Sequence, residues 1–259
     1  MMKLVATIAS LLTLSQATSN REGLLASAQT YVTAQKTGNT STLKLSPSFR
    51  YQQNNKERAL SAGLLATPYA LDLVRSTADT VACASYTMWI STSGGKPYVV
   101  GTQIRHENNT ETISLIDTIA ATTGDLFFDA KKTLGYIQKE DWTPINNTAS
   151  IPSRELLRKV GDAYLDMWTD PKAADSIPWG TECERVEGSR YTSPCGKSLP
   201  RGGSSKPNGM RRYVIDEVQG SVDVLCQFDS LGTMPDSYEI RVIDGKVKYV
   251  HTITALNVG

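Results

Sequence analysis

Histidine is nearly absent from this chain: only His106 and His251 occur in 259 residues. That scarcity leaves no histidine pair for a metal. The four cysteines form no CxxC and have no histidine spaced near them, so no metal site is expected. The net charge of +1 comes without a basic run or an aromatic–basic alternation, so neither nucleic acid nor an anionic membrane surface is an expected partner. There is no G-x-S-x-G elbow, no P-loop and no G-x-G-x-x-G following a strand, which removes the usual hydrolase, nucleotide and dinucleotide signatures. Past the N-terminus, no segment offers the run of about 18 apolar residues that a membrane helix needs.

What is present begins with MMKLVATIASLLTLSQATSN. Lys3 precedes an apolar run from Leu4 to Leu14, and Ser15-Gln16-Ala17 puts small residues at the −3 and −1 positions of a cleavage site. This predicts a signal peptide over residues 1–17 and a mature chain that is secreted or held in the secretory lumen. In that oxidising compartment the cysteines read as disulfides. Cys183 and Cys195 flank a short turn-rich loop and are expected to pair, which leaves Cys83 and Cys226 for a second bridge; four cysteines allow three connectivities. Sequons at Asn39, Asn108 and Asn146 are candidate glycosylation sites.

The mature chain is written twice. A helical pattern opens each half: Leu24, Leu25, Ala28, Tyr31 and Val32 in the first, and Leu156, Leu157, Val160, Tyr164 and Leu165 in the second, with Ser153 placed as a cap. Each half then closes in a run of strands. These are VACASYTMWI, KPYVVGTQIRH and TISLIDTIA, then RRYVIDEV, SVDVLCQF, SYEIRVI and, across the turn Asp244-Gly245, KVKYVHTIT. The pattern predicts an α+β protein with halves at 21–134 and 153–256, joined by a linker over 135–152. Asp117 and His251 hold matching places in the last strand of each half. Alternation sets both on the more apolar, inward face, where an unpaired carboxylate costs several kcal/mol unless a polar-spotted cavity receives it.

The runs YVVGTQIRHENNT and LIDTIAATTGDLFFDA in the first half, with IPWGTECERVEG, RRYVIDE, VDVLCQF, PDSYEIRV and KVKYVHTIT in the second, carry a resemblance. The chain resembles a family of fungal secreted proteins of unknown function that pair two NTF2-like (SnoaL-like) halves. In signal peptide, length and pattern it is also similar to the fungal intermolecular hetero-Diels–Alderases of tropolone-sesquiterpenoid biosynthesis. The resemblance implies two tandem cone-shaped halves, each with helices on a curved antiparallel sheet around a ligand pocket. It also implies an enzyme of secondary metabolism that works on a hydrophobic intermediate without a cofactor, as monomer or homodimer.

Among the residues themselves, His251 with Asp117 makes the best acid–base constellation, and Arg105 is the next candidate for the chemistry. Tyr249, Trp179, Tyr86 and Gln103 are expected to bind substrate, and Trp89, Tyr98, Arg212, Asp229, Tyr238 and Arg241 extend the list of possible pocket residues. The competing reading makes His251 a satisfied core histidine and Asp117 a structural partner for an arginine or tyrosine; His106 is expected at the surface. Three functions stay open: cyclisation, cycloaddition, isomerisation or dehydration of a small apolar molecule; binding of such a molecule without turnover; and an effector whose pockets are vestigial.

Overall fold

The structure, a computed structural model, describes residues 20–107 and 110–256; the expected signal peptide and the sequon residue Asn108 lie outside them. Each half begins with a helix whose first turn is capped as its sequence dictates. Asn20 caps α1 (Arg21–Thr37) by accepting from the Gly23 amide at 2.7 Å, and Gly38 closes it in the left-handed conformation. Ser153 caps α3 (Arg154–Asp166) by accepting from the Leu156 amide at 3.2 Å. A short helix, α2 (Ala130–Ile137), lies between them.

The first half contributes strands β1 (Leu45–Gln53), β2 (Lys56–Arg58), β3 (Leu73–Asp79), β4 (Ala84–Ser91), β5 (Tyr98–His106) and β6 (Ile113–Thr122). The second contributes β7 (Trp179–Glu187), β8 (Arg190–Thr192), β9 (Gly209–Asp216), β10 (Ser221–Phe228), β11 (Met234–Ile243) and β12 (Lys246–Thr254). The sheets have the same order, β2-β1-β6-β5-β4-β3 and β8-β7-β12-β11-β10-β9, so the chain is α+β and built of two matching halves. The expected closing meanders are antiparallel, but the sheets as wholes are mixed. β1 runs parallel to β6 and β7 parallel to β12, because these partners are joined by long excursions of chain and not by hairpins.

α1 buries Leu24, Ala28, Tyr31 and Val32, and α3 buries Leu157, Val160, Tyr164 and Leu165, each against its own sheet. A fully buried aliphatic or aromatic side chain stabilises by about 1.5–3 kcal/mol, so each helix is held by its apolar stripe. The other faces of the two sheets meet. A third core, with Tyr86, Met88, Ile90, Val99 and Ile119 from one half and Val186, Val214, Leu225 and Ile253 from the other, fills the space between them. At its edge two ion pairs cross reciprocally. Arg21, the first residue of α1, reaches Asp216 at the end of β9 at 2.9 Å, and Arg154, the first of α3, reaches Asp79 at the end of β3 at 2.7 Å. Asp216 also accepts from the Ala78 amide, and Asp79 from the Ile215 amide, so the halves are related by an approximate two-fold axis.

The segment expected as a plain linker is itself part of this interface. Its Ile145 amide bonds the Val218 carbonyl, Arg241 donates to the carbonyls of Asp141 and Thr143, and the Trp142 ring stacks on Tyr249. Among the described residues, no helix is long and apolar enough to cross a membrane.

Candidate functional site

The inward direction of Asp117 and His251 is set by a feature that alternation alone does not show. The register of β6 against β5 slips at Ser114, and that of β12 against β11 slips at Lys248, so each last strand carries a bulge near its start. Ile113 and Val247, ahead of the bulges, belong to the helix-side cores. Beyond them parity reverses: Ile116 and Val250 face the helices, whereas Asp117 and His251 face the opposite sheet.

There both are sealed in ion clusters. His251 is 1% exposed; its Nε2 lies 2.9 Å from both Glu140 carboxylate oxygens and its Nδ1 lies 3.1 Å from Glu239, which also pairs with Arg75. Burial disfavours the imidazolium, yet the Glu140 and Glu239 carboxylates outweigh it and hold the pKa above its ordinary value. Arg75 covers the Trp142 ring at 3.5 Å, closing the cluster. Asp117 takes Arg212 Nε at 2.7 Å; burial raises its pKa against the pull of that guanidinium. Arg212 holds the place in β9 that Arg75 holds in β3, so these clusters are the two-fold counterparts of one another. Gln103 donates to Asp223 at 2.6 Å, Arg105 to Gln103 at 2.7 Å and to the Tyr213 carbonyl, and Tyr86 sits 3.3 Å from Ser237. Tyr249 receives the Asp141 amide. Of the residues expected at a site, six form the cement between the sheets, and both ring nitrogens of His251 are engaged by carboxylates. Trp179 lies elsewhere, bonded to the Ala174 carbonyl and edge-on to Tyr164.

The cavity with chemical character lies on the other face of the second sheet. It measures about 100 Å³ and is lined by Trp168, Phe228, Tyr238, Glu187, Asp236, Thr252 and Thr254, with Leu126, Phe127, Gly188 and Leu231 at its margin. Thr252 and Thr254 point there because the Lys248 bulge turned them. Asp236 is fully buried; it accepts from its neighbour's amide, Ser237, at 2.8 Å and from Thr254 Oγ1 at 3.1 Å. Burial raises its pKa well above the usual carboxylate range, against the hydrogen bonds from Tyr238 and Thr254, and the nearby Glu187 carboxylate adds to the rise. The hydroxyl of Tyr238, a residue 1% exposed, is directed at Asp236 and is the first of those hydrogen bonds. Glu187 is held by Tyr164 Oη at 3.2 Å and by Arg185 Nε at 3.4 Å. A buried acid of raised pKa, the Glu187 side chain and the Tyr238 phenol thus converge on one aromatic-walled space.

The first half has no such arrangement. With the two sheets aligned on their bulges, Val100 stands in place of Asp236 and Gln53 in place of Glu187. Trp89 occupies the position of Cys226 and fills the interior, donating its indole N–H to Tyr31 Oη at 3.1 Å, while Tyr31 bonds Thr102. Gln53 is consumed by Tyr51 and the Leu64 amide.

The Cys183–Cys195 disulfide is present. The expected Cys83–Cys226 bridge is not formed: Cys226 is a buried thiol in the helix-side core of the second half, whereas Cys83 lies in the turn before β4 of the first, so the second sheet stands between them. Asn39 and Asn146 are exposed, as glycosylation requires. His106, expected at the surface, is buried with neither ring nitrogen partnered among the described residues, and that burial lowers its pKa. No group of three or more His, Cys, Asp or Glu side chains among the described residues is arranged to hold a metal ion.

Sequence reasoning had Tyr238 among its wider candidates but missed Asp236, Glu187, Trp168 and Phe228; a bulge placed at Lys248 would have turned attention to the even-numbered face. Comparison with known proteins bears on the same half of the chain. Neither the curated proteins nor the solved structures contain a match to this sequence. One family model, described as Domain of unknown function (DUF8021), matches residues 151–254, the half that holds the cavity.

Proposed function

We propose that both halves are NTF2-like cones and that the second keeps the working site of a secreted, cofactor-independent enzyme acting on a small hydrophobic molecule. The observation that carries this reading is the fully buried Asp236, its pKa raised by that burial, in an aromatic-walled cavity beside the buried Tyr238 hydroxyl. A neutral carboxyl in apolar surroundings donates a strong hydrogen bond to a carbonyl or hydroxyl oxygen of the ligand, and Tyr238 supplies a second donor. Such polarisation suits the cycloaddition, cyclisation or isomerisation implied by the resemblance to fungal secondary-metabolite enzymes, and Glu187 stands ready as proton acceptor where a proton must move. The filled first half argues for one working pocket per chain.

Asp236→Asn is the test. It keeps the shape and the uncharged state of the side chain but removes the acidic proton, so the melting transition is expected to hold. Small-molecule extracts of a producing culture are incubated with wild type and variant and followed by mass spectrometry. A product formed by the wild type should appear about tenfold or more slowly with the variant. Equal rates would remove Asp236 from the chemistry. A compound retained by both proteins but never converted would leave a binding protein, the second reading.

A further inference from the structure

The mouth of the cavity is not made by the second half alone. Leu126 and Phe127 come from the loop that follows β6 in the first half, and they line the space together with Leu231 of the second. Phe127 is an expensive residue where it stands. Its φ is +50°, a left-handed conformation that bulky side chains adopt rarely, and the residue is 46% exposed. The backbone enforces this. The Ser189 amide bonds the Phe127 carbonyl at 2.9 Å, and the loop presses so closely on Gly188 that a Cβ there would lie 2.7 Å from the Leu126 carbonyl oxygen. Arg190 lies 4.6 Å from the ring centroid and holds the aromatic face in place. Leu231, across the mouth, is 55% exposed. Strain and exposed apolar surface at one point of a cavity rim are costs without a return in the folded chain, and outliers of this kind gather where ligands are gripped.

The size of the cavity supplies the other half of the argument. A pocket of about 150 Å³ takes up benzene, so the 100 Å³ here admits the polar head of a ligand and little more. The rest of an apolar molecule must lie across the rim.

We propose that Phe127 is a specificity-determining residue for the pocket of the second half: with Leu231 it forms the shelf on which the apolar body of the ligand rests while the ligand's oxygen reaches Asp236. The ligand class is an elongated apolar molecule with a compact carbonyl or hydroxyl head. This rests on the reading of Asp236 given above. It assigns the first half, whose own interior is filled, a part in the site of its neighbour.

Methyl ketones of rising chain length, from butanone to decanone, are the probes, titrated by NMR into the full mature chain. In the wild type, affinity should rise about two- to fourfold for each methylene added once the tail passes the mouth, the upper figure being complete transfer from water. Phe127→Asn removes the ring while keeping a residue that tolerates positive φ, so folding is expected to persist or improve; the gain per methylene should flatten toward none. Leu231→Ser should flatten it as well and serves if the first variant is poorly folded. An unchanged slope in both variants overturns the shelf. If butanone binds Asp236→Asn as well as wild type, the pocket reading itself has failed and the shelf goes with it; if only the chain-length dependence is missing, the pocket stands and the shelf alone falls.

Discussion

His251 shows how a side chain with the marks of an acid–base residue can be fully engaged by its neighbours. It is buried, its pKa is raised, and it has carboxylates on both nitrogens. Those same carboxylates leave it no free valence for a ligand. Replacing it with phenylalanine leaves Glu140 and Glu239 to share Arg75, a broken buried network expected to cost about 3–5 kcal/mol. The melting temperature of His251→Phe should therefore drop sharply. The pH dependence follows from the direction of the shift. A histidine with a raised folded pKa contributes its stability in full below its unfolded value near 6.5, and that contribution fades as pH rises through the folded value. Denaturant unfolding across neutral and alkaline pH should show the gap between wild type and His251→Gln narrowing as pH climbs. A gap that stays constant would mean the imidazole carries no charge in the folded state.

Among the elements, the closing strands and both leading helices were legible because their patterns are long and their signals local: Ser153 caps α3, and Asp244 and Gly245, both at positive φ, turn β11 into β12. What stayed hidden was non-local. β1 and β7 pair with strands far away in sequence, and nothing in LSPSFRYQQ or WGTECERVE announces a parallel partner. The bulges at Ser114 and Lys248 displaced the candidate site from one face of the sheet to the other, because a single inserted residue reverses every side chain after it. The strand ends carry the interface. Asp79 at the end of β3 accepts from Arg154, from the Ile215 amide and from the amides of Val81 and Ala82, and it is fully buried. Asp79→Ala strands these donors together and should cost about 3 kcal/mol or more in chemical denaturation. A loss below about 1 kcal/mol would show that the reciprocal ion pairs do not fasten the halves.

At the scale of the whole molecule, the chain holds within itself the symmetric interface that other proteins form from two copies. The contact is unimolecular, so the unfolding midpoint should stay constant over an about hundred-fold range of protein concentration; a midpoint that rises with concentration would reveal a further assembly on which folding depends. The expected second disulfide is replaced by this interface. Packed apolar side chains, ion pairs and the docked segment around Trp142 join the halves without a covalent bridge across them.

Fusion of the two halves changes what inheritance can do to them. In an assembly of identical subunits every substitution arrives twice, once on each side of the axis, and a change that suits one side must suit both. Here the matched positions have diverged: Asp117 answers His251, Gln53 answers Glu187, and Val100 answers Asp236. In a tandem chain one member of each pair can change while the other is kept. The interior of the first half is filled by Trp89, and that of the second holds a cavity.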